Sequence, residues 1–379
     1  GTHCGIKKRK KDLALIYSEG PCEAGGVSTT NLVKAAPNHI TDAIIHAGKP
    51  VRGILVNSGN ANACTGEDGF NRAKAVQEHY ARALGITTDE LIIASTGVIG
   101  VELQSDTIIA GSEEIVSALD FNGGLDAAEA IMTTDLRPKY RAMKVSGDFG
   151  TFTIGGMCKG SGMINPNMAT MLAYLTTDIQ ISRNELQDAL VRAVNRTFNR
   201  ISVDGDTSTN DMVVILANHS SGVVYTKVKD AFEEALYRLC YFLAHAIIAD
   251  GEGVTKIITL NIINAASEKD ADILGEKISC SPLVKTAFHG EDPNWGRLMG
   301  VVGRAGIPVD PAKVRILFED YCLLDTDYKV NFDEAYLRSI LAKKEITLTI
   351  DLNTGKHAVQ WLTCDFSKQY IEINASYRT

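Results

Sequence analysis

The sequence predicts an α+β fold built in layers, with helices outside and sheets within. Three observations carry that reading. Strand-like and helix-like runs are interspersed from one end of the chain to the other. They keep no regular β-α-β cadence, so one parallel sheet with crossover helices is not implied. The composition is 45% hydrophobic and 22% charged over 379 residues, enough for a large buried core or two. No internal repeat, low-complexity tract or Pro-rich linker divides the chain.

Leu13 to Tyr17 and Gly53 to Val56 are apolar, strand-like runs, and the second ends in a small polar loop, Asn57 to Gly66. Asn71 to Leu84 reads as a helix. Glu90 to Ala94 is a further strand, ending in a Ser95-Thr96-Gly97 turn, and Leu125 to Met132 reads as a helix running into Thr133-Thr134-Asp135. Phe152 to Met157 and Met171 to Leu175 are strands separated by a turn-rich segment. Ser182-Arg183-Asn184-Glu185 is a capping box that opens a helix to about Phe198. Asp211 to Ala217 is a strand. Phe232, Ala235, Leu236, Leu239, Cys240, Leu243, Ala246 and Ile247 recur three or four apart, the spacing of one helix face. That helix stops at Asp250-Gly251-Glu252-Gly253, Lys256 to Ile263 is a strand, and the last third alternates again.

Several function classes are disfavoured. A net charge of −8 and a pI near 5.6 leave no basic face for nucleic acid. The one basic cluster, Lys7 to Lys11, reads as a solvated charged turn. No apolar run reaches the roughly 20 residues of a membrane helix, and no signal peptide is read. Eight scattered cysteines without a Cys-x-x-Cys pair suggest reduced thiols in a cytoplasmic protein. Eight histidines without ligand-like spacing make a zinc site unexpected. Asp204-Gly205-Asp206-Thr207-Ser208 is not an EF-hand, because Thr209 and Ile215 stand where that loop needs Gly and Glu; it is expected to be a structural loop. Asp292 to Arg297 reads equally as an anion grip through Arg297 or a packed turn around Trp295.

The segment Lys159 to Thr170 carries the chemistry. On composition alone it is a long hairpin or crossover loop. The Ala169-Thr170 junction adds a second reading. A threonine hydroxyl is a weak nucleophile that needs an adjacent base. A threonine at a chain terminus carries one, its own α-amino group, with an ordinary pKa of about 7.7 to 8.0. Attack of the Thr170 hydroxyl on the small, accessible Ala169 carbonyl, followed by hydrolysis of the ester, would create that terminus.

The run from Lys159 to Leu172 resembles the processing segment of the ornithine acetyltransferase family, also called bifunctional glutamate N-acetyltransferase. Asn57 to Gly66, Ala94 to Gly100, Ile131 to Asp135, Ser202 to Asp211, Asp250 to Gly253, Asp292 to Arg297 and Asn374 to Thr379 resemble further motifs of that family, in family order along nearly the whole chain. The resemblance implies a layered α-β-β-α sandwich of the N-terminal-nucleophile-like kind. It implies self-cleavage into an α-chain, 1–169, and a β-chain, 170–379, held in an α2β2 assembly without metal or organic cofactor. It further implies that Thr170 carries acetyl from N-acetylornithine to glutamate in cytoplasmic arginine biosynthesis. By the same resemblance Ala169 and Thr170 flank the cut, and Thr96 and Gly97 form the oxyanion hole. Thr133, Lys159, Thr170, Glu252, Asn374 and Thr379 would bind substrate. Read without the resemblance, Ser95-Thr96-Gly97 is an ordinary strand-end turn, and Lys159 and Glu252 are surface charges.

The chain departs from the family pattern at Asn38, where an apolar residue is expected after Pro37, and in a short N-terminal lead-in. The sequence leaves open whether acetyl-CoA is also a donor. Two rival readings remain: an N-terminal-nucleophile aminopeptidase or amidohydrolase, which shares the self-cleavage chemistry, and a non-enzymatic binding protein on the same scaffold.

Overall fold

A computed structural model describes residues 1–165 and 171–376. Its strands, in chain order, are β1 (Leu13–Ser28), β2 (Val51–Asn60), β3 (Leu91–Val98), β4 (Lys139–Gly147), β5 (Gly150–Lys159) and β6 (Leu172–Thr177). Then come β7 (Ile201–Ser202), β8 (Met212–Ala217), β9 (Ile257–Ala265), β10 (Arg315–Phe318) and β11 (Tyr321–Asp325). The last are β12 (Lys329–Val330), β13 (Glu345–Asp351) and β14 (His357–Cys364). The chain divides into two compact units. The first takes Gly1–Gly160, the described part of Asn167–Asn195, and Thr207–Leu243. The second takes the described part of Ser161–Pro166, Arg196–Asp206, and the described residues from Ala244 onward.

The first unit holds a sheet in the order β3-β2-β1-β8-β6-β5-β4. The central strand, β8, is Met-Val-Val-Ile-Leu-Ala and is buried along its whole length, as a strand covered on both faces must be. Two glycines of β1 show what covers each face. The helix Ala36–Ala47 lies against one face, where Ile45 packs on Gly26. The helix Arg183–Arg196 lies against the other, where Gln187 packs on Gly25 and both accepts from and donates to the Gly26 backbone. The Ser182–Glu185 capping box forms as expected, its two side chains bonded at 2.6 Å. The helix Tyr225–Ala249 follows the predicted spacing. Phe232, Leu236, Leu239, Cys240 and Leu243 are fully buried, and Phe232 packs on Phe152 of β5.

The second unit holds a sheet in the order β12-β11-β10-β13-β9-β14-β7. Ile258, Leu260 and Ile262 of β9 sit beside Ile346, Leu348 and Ile350 of β13 and Trp361 and Val359 of β14 on one apolar face. The helix Glu268–Ser279 covers that face with Ala271, Leu274 and Ile278, and is capped by Ser267. The α+β class is therefore what both units display.

Three local expectations change. β3 runs through Ser95, Thr96 and Gly97, which pair in parallel with Asn57, Ser58 and Gly59 of β2, so the expected loop and turn are strand ends. β4 had no sequence signal. It is an exposed edge strand carrying Lys144 and Arg141, the charged dress of an edge and not the alternation of a half-buried strand. Lys7 is not solvated. Its ammonium donates to the carbonyls of Met132 at 2.6 Å and Lys11 at 2.9 Å, and burial lowers its pKa to about 8. Lys8, Arg9 and Lys10 are exposed as expected.

Candidate active site

In the first unit, β3 and β5 end beside each other through their side chains. Lys159 closes β5 and Thr96 lies near the end of β3; both are buried, and the Lys159 ammonium reaches the Thr96 hydroxyl at 3.5 Å. They lie 63 positions apart in sequence. Gly97 follows with φ +136, a backbone that side-chain-bearing residues rarely adopt. A Cβ on Gly97 would fall on the backbone of Gly59 and Asn60, so the close approach of the β2 and β3 ends requires glycine there.

Asp135 binds this cluster together. One carboxylate oxygen accepts from the Lys139 ammonium at 2.6 Å and the Gly160 N–H at 2.8 Å, and the other accepts from the Thr133 N–H at 2.9 Å. Burial alone would raise its pKa. The positive charges of Lys159 and Lys139, with the hydrogen bonds from Lys139 and Gly160, outweigh that and hold the carboxyl well below its ordinary 3.8. Thr133 and Lys159 are thereby positioned by one buried anion. The sequence reading included Asp135 in a motif but gave it no role, and it gave none to Lys139.

In the second unit, Glu252 is buried, and its carboxylate accepts from the Asn374 side-chain amide at 2.8 Å. A Cβ on Gly162 would collide with that carboxylate, so the glycine lets Glu252 lie against the chain between Lys159 and the expected cut. The Glu252 N–H donates to the Ser161 carbonyl at 3.1 Å. Asp204 grips the same stretch, accepting the N–H groups of Met163 at 2.6 Å and Ile164 at 2.9 Å and the Tyr370 hydroxyl at 3.3 Å. Burial dominates and raises the Asp204 pKa to about 6. Within the 204–208 loop, Asp204 thus braces the backbone of the segment that precedes the expected cut. Asp292 to Arg297 resolves as a packed turn. Asn294 caps the helix Trp295–Gly303, and the Arg297 guanidinium donates to the Leu283 carbonyl at 2.7 Å. Ala169, Thr170 and Thr379 lie outside the described residues.

Asn38, the departure from pattern, is fully buried. Its amide donates at 3.1 Å to the carbonyls of both Asn210 and Asp211, a task no apolar residue performs. Asn210 in turn donates to the carbonyls of Ala61 at 2.6 Å and Ser95 at 2.8 Å, so the 202–211 motif is tied to the end of β3.

A buried lysine at a hydroxyl, a glycine-forced strand end and a buried carboxylate form a polar centre at the strand ends of an α+β fold, the kind of place where enzymes of this class put their chemistry. The sequence matches the ArgJ family over residues 1–379. It is 43% identical over 389 aligned positions to the arginine biosynthesis bifunctional protein ArgJ of Thermotoga neapolitana, covering 100% of this chain and 98% of that protein. It is 46% identical to the protein of the same name from Symbiobacterium thermophilum, over 98% of this chain and 93% of the relative. A solved structure of the arginine biosynthesis bifunctional protein ArgJ from Bacillus halodurans aligns with a TM-score of 0.52 at 35% identity, over 54% of this chain and 98% of that one. The chain belongs to the ArgJ family, and it is an acetyltransferase of arginine biosynthesis.

Proposed function

We propose that the chain cuts itself between Ala169 and Thr170 and that Thr170 then carries acetyl from N2-acetyl-L-ornithine to L-glutamate. The observation that carries this reading is the buried meeting of Lys159 with Thr96, which unites two motifs of the family resemblance at the start of the processing segment.

In self-cleavage the Thr170 oxygen forms a bond to the Ala169 carbonyl carbon, and the bond from that carbon to the Thr170 nitrogen breaks. The hydroxyl proton ends on the nitrogen. Water then hydrolyses the ester, leaving an Ala169 carboxylate, a free hydroxyl and an α-amino group that serves as base. Acetyl transfer repeats the chemistry. Acetylornithine acylates Thr170 and leaves as ornithine, and the glutamate amine takes the acetyl from the ester. Each step passes through an oxyanion, for which Thr96 and the Gly97 N–H are the donors. Lys159 meets a substrate carboxylate, and Glu252, held by Asn374, meets an amino group. Thr133 and Thr379 complete the substrate contacts. Acetyl-CoA is a second donor to be assayed, and the assembly is an α2β2 pair of cut chains in the cytoplasm. No cofactor enters, because acetyl rides on Thr170.

Intact mass under denaturing conditions tests the reading first. Two masses joining at Ala169/Thr170 are expected from the native sequence, and one uncut, inactive chain from Thr170→Ala. Cutting by that variant, or acetate release at a rate independent of glutamate, refutes it; the second result would point to a hydrolase.

A further inference from the structure

Lys7 is a half-buried cation that the acetyl-transfer scheme leaves unused, and its ammonium ends at the turn leading into Thr133. It donates to the carbonyls of Met132 at 2.6 Å, Lys11 at 2.9 Å and Ala130 at 3.5 Å. The loop that presents it is wound around one carboxylate. Asp12, fully buried, accepts the N–H groups of Cys4 at 2.6 Å, Gly5 at 3.1 Å and Lys7 at 2.9 Å. The Asp12 carbonyl accepts the Ser58 N–H at 2.8 Å, which docks the loop on the end of β2. The next residue, Gly59, has φ +106, and a Cβ there would come within 3.2 Å of the Lys7 Cγ. Glycine leaves the lysine stem room to pass. All of these groups lie in the first unit.

The Met132 carbonyl and the Thr133 N–H belong to one peptide unit. Lys7 donates to its oxygen at 2.6 Å, and Asp135 accepts from its nitrogen at 2.9 Å. A cation at the oxygen and an anion at the N–H both favour the peptide dipole, and each bond is charge-assisted, stronger than a neutral one. The plane of that peptide is therefore held at both ends, and Thr133 leaves it in a set direction. Capping the helix Gly124–Ala130 does not account for this arrangement. The Ser58 hydroxyl already donates to the Ala130 carbonyl, and the shorter lysine bond goes past the helix end to Met132. We infer that Lys7 is a positioning residue for substrate binding in acetyl transfer: it holds the Met132 carbonyl while Asp135 holds the other end of the same peptide, and so sets where Thr133 stands. Lys7 makes no bond to substrate and exchanges no proton with it.

The inference rests on Thr133 being a substrate contact, and the test separates the two. Steady-state acetyl transfer from N-acetylornithine to glutamate is measured for Lys7→Met, for Thr133→Ala and for the two together. Lys7→Met keeps a stem of similar length and loses the ammonium. It is expected to raise the KM for acetylornithine by about tenfold, the scale of a displaced contact, with kcat within about threefold of native. Because Lys7 acts through Thr133, adding K7M to T133A should raise that KM by no more than about twofold further. A purely structural role would lower the active fraction, and with it kcat, and would show no such coupling. A native KM in K7M, a loss carried by kcat alone, or independent effects of the two substitutions overturns the inference. If K7M shows no cooperative melting transition, the same readouts are taken on Lys7→Gln, which keeps a donor without the charge; a native KM there overturns the inference equally. A raised KM in T133A beside a native-like K7M removes Lys7 alone, whereas a native KM in T133A removes the Thr133 reading and the inference with it.

Discussion

Asp135 shows how one residue sets a site it never touches chemically. Two buried lysines, Lys139 and Lys159, share its negative charge, and two backbone N–H groups complete it. Removing that anion takes the carboxylate partner from the buried Lys139 and a nearby negative charge from the buried Lys159, so Asp135→Ala should cost ~3–5 kcal/mol. Its pKa is held below 3.8 in the folded chain, so it contributes stability that is present above pH 3.8 and lost as pH falls below that value. Urea midpoints measured from pH 6 downward should fall for the native protein, and the slope below about pH 4 should flatten in Asp135→Asn; identical slopes would discount the pair. Thr96 makes a different prediction. If its hydroxyl donates to the oxyanion, Thr96→Ala should cut and transfer roughly 10²-fold more slowly. Unchanged single-turnover rates would take it out of the mechanism.

At the scale of elements, periodicity made some parts legible and burial hid others. The helix through Phe232 to Ile247 and the all-apolar β8 follow from local patterning, because each buries what its pattern displays. Ser95 to Gly97 reads as a turn because serine, threonine and glycine are turn formers. It is strand because β2 pairs with it residue by residue. β4 escaped notice because an edge strand has little to bury and carries charge instead. The β2–β3 end also makes a testable demand on Gly97. Alanine there must adopt a disfavoured φ and displace Gly59 and Asn60. Gly97→Ala should lose roughly 1–3 kcal/mol, a drop of a few degrees in melting temperature, and should slow cleavage more than Gly20→Ala, where a Cβ meets open space. Equal effects of the two would mean the approach is not tight.

For the molecule as a whole, the compact units do not follow the two chains expected from cleavage. β5 precedes the expected cut and β6 follows it, yet they pair from Ile154↔Thr177 to Lys159↔Leu172. β1 likewise pairs with β8 from Glu23↔Ala217 to Ser28↔Met212. The first unit's sheet therefore draws strands from both sides of Ala169/Thr170. Cut protein should elute as one species on size exclusion in native buffer and separate only in denaturant. Fragments that part without denaturant would contradict the interleaved sheet. Among the described residues no helix is long and apolar enough to cross a membrane.

The sequence by itself determined most of the local elements, the α+β class, and, through motifs spread in order along the chain, the family and the chemistry to expect. Such signals are short-range or compositional, and a reader needs only spacing and residue type to find them. Only the tertiary structure decided which distant groups meet. Lys159 reaches Thr96 and Asp135 gathers Lys139, Thr133 and Gly160. Asn38 braces Asp211, and Asp211 holds Met171. The reason is physical: an aspartate on the page is a solvated charge by default, and its role appears only when folding strips its water and leaves particular N–H groups and cations as the replacements.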